Sequence, residues 1–391
     1  MSRDSPIADL FLELVAVPSP SGHERAVGET IRRWLAAAGV DAAFDGAGAV
    51  NGSDAGNLIA TVPGAPDAPA YLFVAHMDTV ETGAPAVTAR VDDGVIRSSG
   101  DTILGADNKS AVAAVMRLCA AVAGRPVAER PTVIAAFTCR EESGRMGVSL
   151  LDLPVAVDCA FCVDGSQPIG TVITRALGQT TFQFAIRGRT AHAAANPEAG
   201  ISAIRVASEI VAELPLGRLP GGGSAGIAAF IGGGVIDRLA DEAGEVTAAL
   251  ARTPTNSVPA LALVKGEVRG YTVDEMETAV AAIRATVDRV CAAHGAASDW
   301  DRDPERMVPP FPGAPDSRAL ALVRRAAAAV PGVAFVQEEA QATLEANYLA
   351  ADTDVVAVAS GGRDPHQLTE SITVTELEQL EALLVAVVDA G

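Results

Sequence analysis

Strand-length apolar runs alternate with amphipathic helical segments in the first and last parts of this chain, and this alternation limits the fold more than any other feature. The strand-length runs are 57–62, 70–75, 132–138 and 354–359, and the helical segments are 5–16, 24–39, 107–123, 317–329 and 374–389. Short apolar runs between turn or charged residues are typical of buried strands. Strands that alternate with helices pack in layers, so we predict an α/β fold.

The pattern changes after residue 175. The later segments are a period-two strand at 180–188, a helix at 200–214, strands around 226–231, 245–250 and 261–269, and a helix at 274–294. This β-α-β-β-β-α order resembles an inserted two-layer α+β domain. Because 391 residues exceed one ordinary core, we predict a discontinuous first domain, 1–175 and 298–391, that is interrupted by a second domain at 176–297. The segment 298–316 is predicted to be a linker.

Composition argues against one class of partner and against a disulfide framework. The formal net charge is −20, from 49 Asp plus Glu against 29 Lys plus Arg. Nucleic acid is therefore an unexpected partner, because phosphate binding needs basic patches. The five cysteines fit a reduced compartment. Cys159 and Cys162 form a single C-x-x-C, whereas a zinc site of this kind needs a second pair. We interpret them as small apolar residues in or beside a buried strand.

The sequence shows neither a secretory signal nor a membrane span. The first residues carry acids early and lack the apolar region of a signal peptide. No run of about 18 uncharged apolar residues occurs. We therefore expect a cytoplasmic protein that has no membrane partner.

The first candidate site residues are His76 and Asp78, in the segment FVAHMDTV at the end of a strand-length run. Side chains alternate along a strand, so the two residues of an H-x-D pair lie on the same face. A histidine that binds metal needs its second ring nitrogen fixed, often by a carboxylate. A histidine at a strand end is also often an ordinary polar residue, and the pair alone does not decide between these roles.

Three further carboxylates lie at element ends. Asp107, in ILGADNKSAV, precedes a predicted helix, where Asp commonly caps the N-terminus. From the same loop it could instead bridge two metal ions. Glu141 and Glu142, in FTCREESGRMG, follow the predicted strand 132–138. Either both lie on a solvated turn, or one binds metal while the other is a general base toward a metal-bound water.

Asp164 and His366 complete the set. Asp164 ends an apolar run, at the kind of sheet edge where ligands of open α/β folds bind. His366 follows a Gly-rich turn, which brings backbone close to a ligand. Each feature has an ordinary structural explanation, but the joint pattern does not. Two histidines and three carboxylates, with one extra glutamate that stays free, are the inventory of residues expected in a two-metal hydrolase.

The motif order along the chain points to a family. The segments are HMDTV, GADNK, EESGRMG, VDGSQP, GRTAHAAANPEAG and GGRDPHQLTE, and LVAVPSPSGHE precedes them. They resemble the zinc-dependent exopeptidase family that contains peptidase T, the carboxypeptidase G type enzymes, aminoacylases and succinyl-diaminopimelate desuccinylase. GADNK and EESG are most similar to the peptidase T-like branch. The resemblance implies a catalytic three-layer α/β/α domain and an inserted two-layer α+β lid that also mediates dimerisation.

The resemblance implies a metal-binding role for five of the candidate residues. His76 and Asp164 would bind one divalent metal ion, Glu142 and His366 would bind a second, and Asp107 would bridge both. Zinc is the expected metal, with cobalt and manganese as alternatives.

The resemblance also implies roles next to the metal ions. Asp78 would orient His76, and Glu141 would be the general base that takes a proton from a metal-bridging water and delivers it to the leaving amine. In the inserted domain, His192 of GRTAHAAANP would donate to the oxyanion. In this family that histidine often comes from the partner subunit of a homodimer formed through the lid.

Two further residues match positions near the substrate. They are Asn256, in PTNSVPA, and Arg269, in GEVRG. Arg269 suits a substrate carboxylate through bidentate hydrogen bonding, and a structural ion pair is the alternative.

The expected function is a two-metal hydrolase that cleaves an amide bond near the end of a small peptide, with a tripeptide aminopeptidase as the first choice. An N-acyl amino acid deacylase or a carboxypeptidase of the same family is the alternative, and a non-catalytic metal-binding protein of the same fold is a more distant one. The presence of Glu141 and Asp107 argues against the last. The chain departs from the family pattern at Glu345, where Asp is expected, and at Arg363 and Asp364. These departures affect substrate specificity more than metal binding.

Overall fold

The computed structural model describes residues 5–80, 86–144, 147–232, 255–302 and 307–391. The chain divides into two compact units. The first contains Met1–Ala176, Phe311–Ala340 and Leu344–Gly391, and the second contains Leu177–Pro310 and Gln341–Thr343. The strand that we predicted at 245–250 lies outside the described residues.

Helices and strands are numbered here along the chain. The described helices are α1 (Pro6–Val15), α2 (Arg25–Ala37), α3 (Ala47–Asn51), α4 (Ala106–Ala123), α5 (Ala203–Glu213), α6 (Val273–His294), α7 (Arg318–Ala329), α8 (Ala346–Leu349) and α9 (Val374–Asp389). The described strands are β1 (Ala42–Phe44), β2 (Leu58–Val62), β3 (Ala70–His76), β4 (Ala89–Asp92), β5 (Val95–Ser98), β6 (Thr132–Thr138), β7 (Cys159–Val163), β8 (Thr171–Ala176), β9 (Gly178–Arg187), β10 (Gly217–Arg218), β11 (Ser224–Gly232), β12 (Leu261–Gly270), β13 (Ala297–Asp301), β14 (Val336–Ala340), β15 (Val355–Val358) and β16 (Ser371–Thr373). No helix among these residues has both the length and the apolar character needed to cross a bilayer.

The main sheet of the first unit has eight strands in the order β1-β2-β6-β3-β7-β15-β8-β14. The four central strands, β6, β3, β7 and β15, are parallel to one another. Their outer neighbours, β2 and β8, are antiparallel to them. The carboxyl ends of the central strands therefore meet at one edge, which is where ligands of α/β sheets bind. This mixed sheet with its helices confirms the α/β prediction.

Alternate residues of the central strands face two separate apolar cores. Phe73 and Phe161 stack with ring centroids 5.0 Å apart on the face covered by α1, α4, α7 and α9. Leu72 and Val74 face the opposite core, which the short helix α8 and the segment 151–157 help to cover. Because strand side chains alternate, one strand contributes to both layers of the core. The layers hold the central strands, and with them the carboxyl edge of the sheet, in a fixed position.

The C-x-x-C cysteines belong to this core. Cys159 and Cys162 lie in β7, are buried, and form no disulfide. The interpretation of this motif as part of a buried strand is confirmed.

The second unit is a two-layer structure. Its five strands follow the order β10-β11-β12-β9-β13, and all neighbours are antiparallel. Alternate residues of β9, among them Phe182, Phe184 and Ile186, pack on α5 and α6 in a core of their own. The period-two pattern predicted for 180–188 is confirmed by the alternating burial of β9.

The boundary that we predicted at residue 297 is wrong. Ala297–Asp301 pair with β9 as an edge strand of the second unit, which continues to Pro310. The Trp300 ring stacks 5.6 Å from those of both Phe182 and Phe184. This aromatic packing and the backbone hydrogen bonds to β9 fix the beginning of the segment 298–316. We had predicted that segment to be a linker because of its charged residues.

Candidate metal centre

Strand ends bring the predicted ligand residues to one edge of the main sheet. His76 is the last residue of β3, and Asp164 directly follows β7. Glu142 lies in the loop after β6, Asp107 lies at the start of α4, and His366 lies between β15 and β16. Because β6, β3 and β7 are adjacent and parallel, their carboxyl ends are neighbours. His366 has φ +65°, a left-handed conformation that is costly for a residue other than glycine and is often found at functional sites.

The Asp107 carboxylate lies between the two histidines. Its Oδ1 is 3.1 Å from Nε2 of His76, and its Oδ2 is 3.5 Å from Nε2 of His366. The same His366 nitrogen is 2.7 Å from Oε1 of Glu142. Asp164 approaches from the other side, with Oδ1 3.9 Å from Nε2 of His76. The five residues form one cluster, and three of them, His76, Asp107 and Glu142, offer ligand atoms within 4.8 Å of one another.

Asp78 fixes the orientation of His76. Nδ1 of His76 lies 3.0 Å from the main-chain oxygen of Asp78 and 3.5 Å from its Oδ1. A carbonyl oxygen only accepts hydrogen bonds, so Nδ1 carries a proton and Nε2 is directed at Asp107. This is the arrangement by which a second hydrogen bond sets the tautomer of a metal-binding histidine.

The cluster concentrates negative charge in a buried place. Burial raises the pKa of Glu142 to about 7, and the neighbouring Asp107 and Glu141 add to the rise. Burial and Asp107 likewise raise the pKa of Asp164 well above its ordinary value. Hydrogen bonding to Asp107 raises the pKa of His366 to about 9, although burial opposes it. A nearby positive charge would therefore stabilise the charged forms of Glu142 and Asp164.

This donor set fits divalent metal ions. Imidazole nitrogens together with carboxylate oxygens suit zinc, cobalt or manganese. The Asp107 carboxylate directs one oxygen at each of two histidines, as a bridging ligand does. Two cations would stabilise the charged forms of Glu142 and Asp164, whose pKa values are raised in the metal-free protein.

The Asp78 side chain holds the loop that carries the glutamate pair. Oδ1 accepts the backbone N–H of Glu141 at 3.0 Å, and Oδ2 accepts that of Glu142 at 3.1 Å. Oδ2 also accepts the hydroxyl of Ser21 at 2.5 Å. His76 is therefore oriented chiefly by the main chain of Asp78, while the carboxylate itself fixes Glu141 and Glu142.

Glu370 was not among the predicted site residues. It is 2% exposed, and its Oε2 accepts the N–H groups of Leu104 and Gly105 at 2.8 and 2.7 Å. Its Oε1 accepts the N–H of Asp107 at 3.0 Å. Glu370 therefore fixes the backbone of Asp107. Glu370 lies in the motif GGRDPHQLTE, which had already been identified in the sequence. Its role could not be predicted there, because a side chain that binds main-chain amides needs no particular residue type as its partner.

His192 and Asn256 lie together in the second unit. The exposed His192 ring accepts the backbone N–H groups of Ala194 and Ala195 at Nδ1, at 3.2 and 3.1 Å. Because Nδ1 is an acceptor, the ring proton is on Nε2. The main-chain oxygen of Asn256 accepts the N–H of Ala193 at 2.8 Å, which joins the two segments.

Arg269 forms an ion pair within β12. Its Nε lies 2.8 Å from Oε1 of Glu267, two residues away on the same face of the strand. The ion pair that we considered as an alternative role is therefore present.

Comparison with known proteins extends over nearly the whole chain. The profile of peptidase family M20/M25/M40 matches residues 72–390. The uncharacterized protein YqjE of Bacillus subtilis (strain 168) is 29% identical over 391 residues, 100% of this chain and 99% of that protein. The crystal structure of aminopeptidase PepT from Bacillus cereus ATCC 10987 gives a TM-score of 0.86 at 29% identity and covers 98% of this chain and 97% of that one. A tripeptidase from Staphylococcus aureus subsp. aureus Mu50 shares the fold, with a TM-score of 0.86 at 23% identity over 99% of this chain and 98% of that one.

Proposed function

This chain belongs to peptidase family M20/M25/M40, and from that membership we propose that it is a two-metal aminopeptidase that acts on tripeptides. It is a peptidase or amidohydrolase by family and by its likeness to an aminopeptidase of 29% identity. The observation that carries the two-metal part of the proposal is the Asp107 carboxylate, whose two oxygens are directed at two different histidines. The choice of an aminopeptidase that acts on tripeptides is supported by the likeness to aminopeptidase PepT.

Five side chains are the proposed metal ligands. His76 and Asp164 would hold one divalent cation, His366 and Glu142 would hold the other, and Asp107 would contribute to both sites. Zinc is the first choice, and cobalt and manganese suit the same donors. Two such cations, when bound, supply polarisation of the scissile carbonyl and a lower pKa for the attacking water.

Glu141 is the proposed general base. It is 6% exposed, and the hydrogen bond from its N–H to Asp78 fixes its backbone beside the ligand cluster. We assign it the transfer of a proton from the attacking water to the leaving amine. Asp78 supports this step through the backbone of Glu141 and through the orientation of His76.

His192 is the proposed donor to the oxyanion. Its Nδ1 is occupied as an acceptor, so Nε2–H is the donor of the ring. A neutral imidazole N–H directed at developing negative charge lowers the barrier to amide hydrolysis.

A substrate screen on metal-free protein tests the proposal. Dipeptides, tripeptides and N-acyl amino acids are offered after addition of zinc, cobalt or manganese, and the products are identified by mass spectrometry. We expect release of the N-terminal residue from tripeptides and no turnover without metal. Turnover of N-acyl amino acids alone would replace the aminopeptidase with a deacylase, and loss of a C-terminal residue would replace it with a carboxypeptidase.

A single substitution tests the role of Glu141. We expect Glu141→Gln to keep the fold and the metal content while kcat falls by about 10²–10⁴-fold, because the amide cannot accept the proton. Steady-state kinetics and metal analysis check this. The control is Glu338→Gln, at an exposed position of β14, for which wild-type kcat is expected. Wild-type kcat in Glu141→Gln would refute the assignment.

A further inference from the structure

Four consecutive backbone N–H groups in the loop that carries the glutamate pair donate to side-chain oxygens from elsewhere in the first unit. The pairs are Cys139 to Oδ1 of Asn57 at 3.2 Å, Arg140 to Oε1 of Glu24 at 3.0 Å, Glu141 to Oδ1 of Asp78 at 3.0 Å, and Glu142 to Oδ2 of Asp78 at 3.1 Å. Backbone amides in a loop commonly bond to main chain or to water. Four consecutive N–H groups that all donate to side chains indicate that the surrounding structure positions this loop.

The three acceptors come from three separate segments. Glu24 directly precedes α2, Asn57 directly precedes β2, and Asp78 follows β3. All three side chains are 0% exposed. Hydrogen bonds to buried acceptors are little weakened by competing water, so their geometry is enforced by the surrounding packing. Tertiary contacts therefore contribute much of what fixes the loop conformation.

The loop needs this support because Arg140 is in a left-handed conformation. Its φ is +58°, which is costly for a residue with a side chain. Such a residue turns successive N–H groups toward one side of the chain and creates a concave site for negatively charged groups. The carboxylates of Glu24 and Asp78 lie against these N–H groups and offset the cost.

Asn57 also holds the two ends of the loop together. Its Nδ2 donates to the main-chain oxygen of Gly147 at 3.0 Å, while its Oδ1 accepts from Cys139. A Cβ atom at Gly147 would lie 2.3 Å from the main-chain oxygen of Cys139, so only glycine permits this approach.

The donors to Glu24 are neutral groups. Oε1 accepts the N–H of Gly22 at 2.7 Å in addition to that of Arg140, and Oε2 accepts the hydroxyl of Ser53 at 2.7 Å. A glutamine could accept the same two N–H groups at its oxygen. It would lose the bond to Ser53, because the Ser53 oxygen already accepts the N–H groups of Ala55 and Gly56 at 3.1 and 3.2 Å. An aspartate has the charge but is one methylene shorter. The contact that extends to the loop, through the N–H of Arg140, therefore requires the length of the side chain and not its charge.

We propose that Glu24 and Asn57 are positioning residues for hydrolysis, which act through the backbone of residues 139–140 to place Glu141 and Glu142. Neither residue is assigned contact with substrate or metal. This inference rests on the proposed function, because it takes Glu141 as the base and Glu142 as a ligand.

Two variants of Glu24 separate the effect of side-chain length from that of side-chain charge. We expect Glu24→Gln to keep kcat within a few-fold of wild type, because the contact with Arg140 remains, and Glu24→Asp to lower kcat by about 10²-fold, since misplacement of a catalytic group by about 1 Å has this effect. KM is expected to change little in both. Wild-type kcat in Glu24→Asp, or a loss in Glu24→Gln as large as that in Glu24→Asp, would overturn the proposal. If Glu24→Asp does not fold, Ser53→Ala provides the test, with a smaller fall in kcat expected and wild-type kcat as the contrary result.

Hydrogen exchange of the metal-free protein gives a readout that is independent of turnover. In wild type and Glu24→Gln, we expect slow exchange of the amides of residues 139–142, and in Glu24→Asp we expect faster exchange confined to this loop. Exchange that is unchanged in Glu24→Asp would overturn the proposal whatever the activity.

The matched control is Asp354→Ala. Asp354 also accepts backbone N–H groups, those of Arg318 and Ala319 at the start of α7, but it precedes β15 at the opposite edge of the sheet. We expect this variant to melt at a lower temperature and to keep wild-type kcat when folded. An active Glu141→Gln variant would refute the proposed base, whereas an unaffected Glu24→Asp variant beside an inactive Glu141→Gln variant would refute only the positioning role.

Discussion

Glu345 is a buried acid to which the described part of the chain offers no hydrogen bond. It is 1% exposed, and neither carboxylate oxygen has a hydrogen-bonding partner among the described residues. The Thr138 hydroxyl lies near enough to lower the pKa of Glu345, but no hydrogen bond of ordinary geometry joins the two side chains. Burial, with Glu141 and Asp78 nearby, raises the pKa of Glu345 to about 7. The charged form of this residue is therefore costly in the metal-free protein.

The pH dependence of stability should show this cost. The pKa of Glu345 is raised from 4.5 to about 7 on folding, so the folded state binds the proton more tightly and stability falls as pH rises through this window. Above it the loss reaches about 3 kcal/mol. Because glutamine does not titrate, the difference in melting temperature between Glu345→Gln and wild type should grow in favour of the variant from pH 5 to pH 8.

Thermal denaturation of metal-free protein at the two pH values measures the effect. Glu338→Gln is the control, because its side chain on β14 is exposed, and the growth of the melting difference should be specific to Glu345→Gln. The same melting difference for Glu345→Gln at both pH values would contradict the prediction.

The sequence predicted the proposed ligand residues better than the residues that fix their backbone. His76, Asp107 and Glu142 were expected together because they lie at element ends, and the structure brings them together. Glu24 and Glu370 were missed because both bind main-chain amides, and any sequence supplies such amides. Motif order can indicate side chains that meet, but the acceptor of a backbone N–H depends on tertiary structure.

Elements with a strong apolar pattern, either a continuous run or a helical period, were predicted almost to the residue. The strand 132–138 is β6, and the helix predicted at 274–294 is α6. The edge strands were not found: β14, VQEEA, is exposed over four of its five residues, and β13, ASDWD, alternates exposed and half-buried residues. Backbone pairing to a neighbour holds such strands, so they show little apolar pattern.

The N-terminus of α6 offers a test of local stability in the second unit. Thr272 Oγ1 accepts the N–H of Glu275 at 3.1 Å, and Oε2 of Glu275 accepts the N–H of Thr272 at 3.1 Å. Loss of such a capping box costs about 1 kcal/mol. Thr272→Ala should therefore lower the unfolding temperature of the second unit in calorimetry.

A second threonine of the same helix is the control. The hydroxyl of Thr286, a half-buried residue, donates to the main-chain oxygen of Ala282 within the helix. Alanine has the higher helix propensity there, so Thr286→Ala should leave the unfolding temperature unchanged or raise it slightly. Equal losses in the two variants would show that the cap contributes nothing of its own.

At the scale of the molecule, the proposed metal ligands and the capped helix belong to different units. All five ligand residues lie in the first unit, whereas α6 lies in the second, and each unit has an apolar core of its own. A ligand that binds only folded protein stabilises it, by about 2.7 kcal/mol at a concentration of 100 times its Kd. Metal binding should therefore stabilise the unit that holds the ligands.

Calorimetry with and without zinc tests this division. We expect zinc to raise the unfolding temperature of one transition, that of the first unit, while Thr272→Ala lowers that of the other. Removal of a ligand in His366→Ala should reduce the zinc-induced shift and leave the transition marked by Thr272→Ala in place, because the second unit contains none of the proposed ligands. If zinc shifts the marked transition as much as the other, metal binding and the second unit are energetically coupled, and the assignment of metal stabilisation to the first unit alone is wrong.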